Sequence, residues 1–213
     1  MGLRNRVLGI FSALLAALVG LAGGATAAPL QVTTQPSLFP DFDASIRDYV
    51  VRCEPSNEVE VSLETPENVK ASVDGGPRLK GSITQTVSLS AGQSFDITFF
   101  KLGVPSTYFI RCLPSDFPTF TATRTGPTQA RFYAATPSLG TPPAGQSPQY
   151  VAFFDNHGVP VWWMSSASGS IPLDAKLLPN GNIAWLHFNP GPNPGAEEHQ
   201  LDGSLVRTLD TVP

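Results

Sequence analysis

The chain has three histidines, His157, His187 and His199, the side chains best suited to proton transfer or nucleophilic attack near neutral pH. His157 sits inside the turn-like Asn156-His157-Gly158, where Asn, Asp and His tolerate unusual dihedrals, so turn chemistry accounts for it. His187 ends an apolar run just before Phe188-Asn-Pro-Gly-Pro-Asn-Pro-Gly195, and His199 lies mid-strand beside Glu197 and Glu198. His187, His199 and a glutamate are zinc-ligand types, but a Pro/Gly-rich loop between them sets no ligand geometry. The sequence therefore assigns no catalytic residue, no cofactor-binding residue, no metal ligand and no cofactor. Trp162, Trp163 and Trp185 read as fillers between sheets, with an aromatic substrate shelf as the alternative.

Cys53 and Cys112 are the only two cysteines. They close two similar segments, Tyr49-Val-Val-Arg52-Cys53 and Tyr108-Phe-Ile-Arg111-Cys112, each with Pro two residues on. Alternate strand residues share a face. Tyr49, Val51 and Cys53 thus face one way with Tyr108, Ile110 and Cys112, while Arg52 and Arg111 face the other. An even cysteine count in an exported chain favours a Cys53–Cys112 disulfide, and the spacing is not that of a C-x-x-C redox pair. Glu54, Glu58, Glu60, Glu64 and Glu67 form an acidic series between the cysteines. It is read as a solvated face rather than a calcium site.

The elements that must position these residues are strands. Tyr150–Asp155 and Val159–Met164 flank Asn156-His157-Gly158; Leu173–Leu178 and Asn182–His187 flank Pro179-Asn180-Gly181; Glu197–Leu201 and Ser204–Leu209 flank Asp202-Gly203. Each turn ends in a glycine, as tight hairpins that need φ > 0 require. The turn glycines are spaced 23 and 22 residues apart, so two hairpins make a four-stranded meander of about 45 residues, the size of a propeller blade. The runs Val151–Phe154, Val161–Met164 and Ile183–Leu186 are continuously apolar, as expected of strands covered on both faces.

Before the hairpins, Val59–Leu63, Val69–Val73, Ser82–Leu89 and Ser94–Phe100 alternate between turn signals at Asp74-Gly75-Gly76 and Ala91-Gly92-Gln93. They predict a small β-sandwich between a polar lead, Gln31–Ser37, and the Pro-rich Leu113–Phe120. Ala130–Ala135 adds a strand, and Pro137–Pro148 reads as a surface loop. The first residues have the order of a signal peptide: Arg4 and Arg6, the apolar Val7–Leu21, then Ala25-Thr26-Ala27. Removing 1–27 leaves 11 cations against 17 acids, a formal −6. An acidic exported chain argues against nucleic acid as a partner, and membrane contact is expected only through the signal peptide during export. The expected organisation is a signal peptide (1–27), a cadherin- or immunoglobulin-like sandwich (28–116), a connector (117–149) and a partial propeller (150–213).

The three hairpin sequences, Asp155-Asn-His-Gly158-Val-Pro-Val-Trp162, Leu178-Pro179-Asn180-Gly181-Asn182 and Asp202-Gly203-Ser-Leu-Val-Arg207, resemble in this order the opening blades of the arylsulfotransferase family. The resemblance covers about 150–209. It implies sulfuryl transfer from aryl sulfates to phenolic acceptors through a sulfated histidine, which needs a neutral imidazole and cations for the sulfate oxygens. In the family those groups come from later blades, so none is placed here. Residues 117–213 suffice for about two blades, whereas closed propellers have about four or more. The expectation is an all-β chain, a disulfide-bonded sandwich followed by the opening blades of an incomplete β-propeller, inactive alone and acting on aryl sulfates and phenols only when further blades complete it. The alternative is an extracellular module binding cell-wall glycan or a protein partner.

Overall fold

A computed structural model describes residues 30–137, 149–166, 170–188 and 195–210. The expected signal peptide, and the Pro/Gly-rich loop past Pro137, lie outside them. Every regular element among the described residues is a β-strand.

The sandwich pairs two sheets. One holds β1 (Gln31–Gln35), β3 (Glu58–Glu64) and β5 (Ser82–Ser88) in the order β1-β3-β5. The other holds β2 (Asp48–Val51), β4 (Val69–Val73), β6 (Ser94–Lys101) and β7 (Val104–Cys112) in the order β2-β7-β6-β4. β3 shows why these segments are strands. Val59, Val61 and Leu63 are buried while Glu58, Glu60 and Glu64 are exposed, so a period of two puts one face in the core. Most of the acidic series is thus the outer face of β3. Val59, Val61, Leu63, Ile97, Phe99 and Ile110 meet between the sheets, and each such side chain stabilises by about 1.5–3 kcal/mol when fully buried.

One expectation needs correction here: Gln31–Gln35 is not a lead but an edge strand, paired along its length with Glu60–Glu64. It buries only Val32. Its place comes from ladder hydrogen bonds rather than from apolar alternation, which is why the polar composition hid it.

The Cys53–Cys112 disulfide forms as expected, with the Cα atoms 5.6 Å apart. β2 and β7 run parallel with Val51 opposite Cys112, and both sulfurs lie in the sandwich core. Tyr49 and Tyr108 face inward on the same strands. Their hydroxyls donate to the carbonyls of Asp43 (2.6 Å) and Ala44 (3.1 Å), tying the loop before β2 to the core. Burial pushes the Tyr49 phenol up to about 12. Arg52 points away from the core and donates to the Pro118 carbonyl at 3.1 Å, while Arg111 pairs with Asp48 at 2.6 Å.

The remaining strands form two further antiparallel sheets, and the described strands do not close into a ring. β8 (Phe132–Ala135), β9 (Tyr150–Asp155) and β10 (Pro160–Ser165) stand in the order β10-β9-β8. β11 (Ile171–Leu177), β12 (Ile183–Phe188), β13 (Gly195–His199) and β14 (Leu205–Asp210) form a sequential four-stranded meander. The predicted hairpins are all present, except that Leu201 belongs to the third turn rather than to its strand. In each turn the glycine N–H donates three residues back: Gly158 to Asp155, Gly181 to Leu178 and Gly203 to Gln200. Their φ values of 80°, 85° and 90° are those of a type I turn closed by a glycine bulge.

β9 is covered on both faces, as its continuous apolar run predicts, but by two different partners. Tyr150 and Ala152, with Phe154 and Trp163, pack against Val50, Leu113, Phe117 and neighbouring phenylalanines at the sandwich exit. Val151 and Phe153, with Trp162 and Met164, pack against Ile183 and Trp185 of β12. Only the second cover is another ribbon sheet; the first is the sandwich and its connector. Tyr150 is fixed there by donating to Asp116 Oδ1 at 2.6 Å, and burial, then this bond, raises its pKa. Trp162 and Trp163 therefore face opposite ways, one toward each neighbour.

Candidate functional site

The β11–β14 meander carries two polar networks, one on each face. On its outer face the motif residues converge on Glu198. Asn180 and Asn182, from the second turn, donate their side-chain amides to Glu198 Oε1 at 3.0 and 2.6 Å. Arg207, opposite Glu198 in the β13–β14 register, donates to Oε2 at 2.7 Å. These bonds, Asn182 foremost, hold the Glu198 carboxyl well down at about 2 from its ordinary 4.5. The side chain is only 7% exposed, yet it is covered by these partners rather than by depth in the protein. The second and third motifs thus meet in one hydrogen-bonded staple across three strands. That is structural work, and it gives Asn180, Asn182 and Arg207 a role with no reacting group in it.

On the inner face Glu197 stands between two histidines. His199 Nε2 and Glu197 Oε2 are 2.9 Å apart, and His199 Nδ1 lies 3.1 Å from the Gly203 carbonyl. Both ring nitrogens of His199 thus face acceptors, one a carboxylate and one a backbone carbonyl. Its ring stacks on Trp185, with centroids 4.5 Å apart and planes at 12°. His187 Nδ1 bonds the hydroxyl of buried Ser170. Its Nε2 comes within 2.9 Å of Glu197 Oε1 but outside hydrogen-bond geometry, and so is left without a hydrogen-bond partner among the described residues.

Ser170, His187 and Glu197 are residue types of a hydrolytic triad. Ser170 and His187 are buried. A nucleophile must reach its substrate, so the trio reads as a core network. No group of metal-ligating side chains among the described residues is arranged to hold an ion. Sequence reasoning placed His199 beside Glu197 but missed Ser170 and the shared carboxylate. The signal was there in parity: once β12 and β13 pair in register, Trp185 faces Glu197 and Ile183 faces His199.

His157 stands apart. Asp155 Oδ1 accepts from the backbone N–H of His157 at 2.9 Å and of Val159 at 2.8 Å, and Asp155 Oδ2 lies 3.3 Å from His157 Nδ1. The turn thus holds its own histidine, as turn chemistry predicts. His157 borders an open cleft of about 960 Å³ between this turn and the strand-free segment 120–130, with Arg124 and Tyr133 in the wall. Asp155 is the one buried polar side chain among the described residues that line it.

Neither a family model, nor a curated protein, nor a solved structure matches this chain.

Proposed function

We propose that this chain is part of an exported, arylsulfotransferase-like protein, and that its described residues supply scaffold rather than reacting groups. The observation that carries the reading is the β11–β14 meander. Its inner face is stacked on β8–β10 through Ile183 and Trp185, while on its outer face, beside the Glu198 staple, Leu173, Leu186, Phe188 and Leu209 form an exposed apolar patch among the described residues. A sheet that buries one face on a sheet and carries an exposed apolar patch on the other is suited to receive a further sheet. The motif residues that carry the resemblance staple this same meander through Glu198. The buried disulfide is compatible with an extracytoplasmic protein.

In this reading sulfuryl transfer from an aryl sulfate to a phenol is performed by groups on added sheets. His187 and His199 are bound into the inner network and His157 into its turn, so none is offered as the sulfated nucleophile. The sandwich occupies the β8–β10 face that a closing blade would take, so ring closure requires Phe117 and its neighbours to yield that face. The test is the structure and activity of the protein isolated from its own source. The outer face of β11–β14 is expected to lie against another antiparallel sheet, and the material is expected to move sulfate from 4-nitrophenyl sulfate to phenol. A helical or lipid cover on that face, or no transfer by such material, overturns the proposal.

A further inference from the structure

We propose that the groove between the sandwich and the first ribbon sheet binds an acidic polysaccharide, a chain of sugars bearing carboxylate or sulfate groups. Arg47 from the loop before β2, Arg111 on β7 and Arg131 just before β8 line one cleft of about 630 Å³ together with Phe109 and Phe132. Three of the chain's 13 basic side chains thus gather at one place in a molecule of formal charge −4. Asp48 is the single carboxylate in the wall, and it pairs with Arg111 at 2.6 Å. Arg47 and Arg131 make no ion pair among the described residues.

Each guanidinium is set over an aromatic ring: Arg47 4.6 Å from the Tyr108 centroid, Arg131 5.2 Å from Phe132 and Arg111 5.8 Å from Phe109. Stacking orients the guanidinium plane and leaves its N–H edge for an oxyanion. Phe109 and Phe132 are 42% and 47% exposed, large flat apolar surfaces of the kind on which the apolar face of a sugar ring settles. The cleft falls within the range of about 300–1,000 Å³ typical of organic ligands, far above what one inorganic anion fills. Arg111 and Val161 also line the adjoining cleft of about 400 Å³, which carries Trp162 and Met164. The adjoining cleft adds the carboxylate Asp202 and no cation beyond the shared Arg111, so the cations gather at one end of the groove while flat apolar faces continue along it, matching a polymer that sets acid groups at that end and rests sugar rings beyond. An added peptide strand suits the place less well. β2 pairs only Phe109–Cys112, and Pro105 removes an N–H from the open part of β7.

The test is calorimetric titration of the folded protein with polygalacturonate, dextran sulfate and uncharged dextran, at low and physiological salt. At least one acidic polymer is expected to bind and dextran not, and the two acidic arms tell carboxylate from sulfate recognition. Arg47→Gln with Arg131→Gln is expected to weaken binding by about tenfold or more and to flatten its salt dependence. F132A is expected to weaken it by about threefold or more through the lost ring face. K176Q, on β11 and outside the walls of both clefts, is the control and should bind as wild type. Should the double variant fail to fold, Arg47→Lys and F132A carry the same test, because both keep the overall charge. Binding to neither acidic polymer overturns the proposal. So does equal loss in K176Q, or equally tight binding of poly-glutamate, which would mark a generic basic patch.

Discussion

The sandwich and the ribbon sheets are both antiparallel for the most part, but they stay folded in different ways. The sandwich closes on itself: its two sheets bury each other's inner faces, and a disulfide ties β2 to β7 inside that core. The ribbon sheets are stacked in a row, and each depends on whatever lies beside it. β8–β10 lies between the sandwich and β11–β14, and among the described residues β11–β14 has a neighbour on one side only. What the second region lacks in enclosed apolar volume it partly replaces with polar staples at Glu198 and Glu197. A closed core tolerates loss at its surface, whereas a row is only as stable as each shared wall.

The comparison can be broken most severely at the disulfide. Replacing Cys53 and Cys112 by alanine opens a link of sequence separation 59, which in the chain-entropy model costs about 4 kcal/mol. Denaturant unfolding should show this loss in the sandwich transition, with the ribbon transition shifting less. Equal shifts in both would mean that the two regions unfold as one unit. Next comes Trp185, buried between the ribbon sheets. W185A is expected to cost about 3 kcal/mol, at the low end for a buried tryptophan because one side of its sheet already faces solvent. Here the ribbon transition should move and the sandwich transition should not.

The glycine turns sharpen the contrast within the ribbon region. A Cβ on Gly158 would stand 2.2 Å from the Ala122 Cβ at φ 80°, whereas Gly181 and Gly203 have open space around them. G158A should therefore cost about 2 kcal/mol or more, and G181A and G203A about 1 each from left-handed backbone alone. Thermal unfolding of the three variants checks the ranking, and near-identical losses would show that Ala122 gives way freely. The smallest effect is a pH dependence. Glu198 is held at about 2 in the folded protein against 4.5 ordinarily. A depressed carboxyl stabilises fully above the unfolded value, so its contribution fades as pH falls from about 4.5 toward 2. Wild type should lose stability relative to E198Q across that window, and a difference that stays constant through it counts against the staple.

The two regions also differed in how much of them the residues disclosed. Alternation along Glu58–Glu64 is enough to predict β3 and its buried face, and the matched Tyr-x-x-Arg-Cys segments predict the disulfide, because both follow from a period of two. The edge strand Gln31–Gln35 was hidden because one valine is its whole apolar signal. In the ribbon region the turn glycines disclosed three hairpins, since φ > 0 leaves so few alternatives, but not the β8–β9 and β12–β13 pairings. What covers β9 was legible only as covered: an apolar run records burial, not the identity of the neighbour, and the sandwich rather than a blade fills one side. The networks of Glu197 and Glu198 depend on cross-strand register, which a bulge between Glu198 and His199 shifts by one residue. No local pattern announces such a shift.

The double duty of β9 bears on the order in which this polypeptide matures. A chain leaving the ribosome or an export channel presents its N-terminal part first. The sandwich can then be complete, its cystine formed, while later residues are still confined. Val50, Leu113 and Phe117 would by then be a waiting mould for Tyr150 and Ala152, and the first ribbon laid on it would template the second through Val151 and Phe153. Growth from a finished seed, one layer at a time, spares the cell a large sticky intermediate.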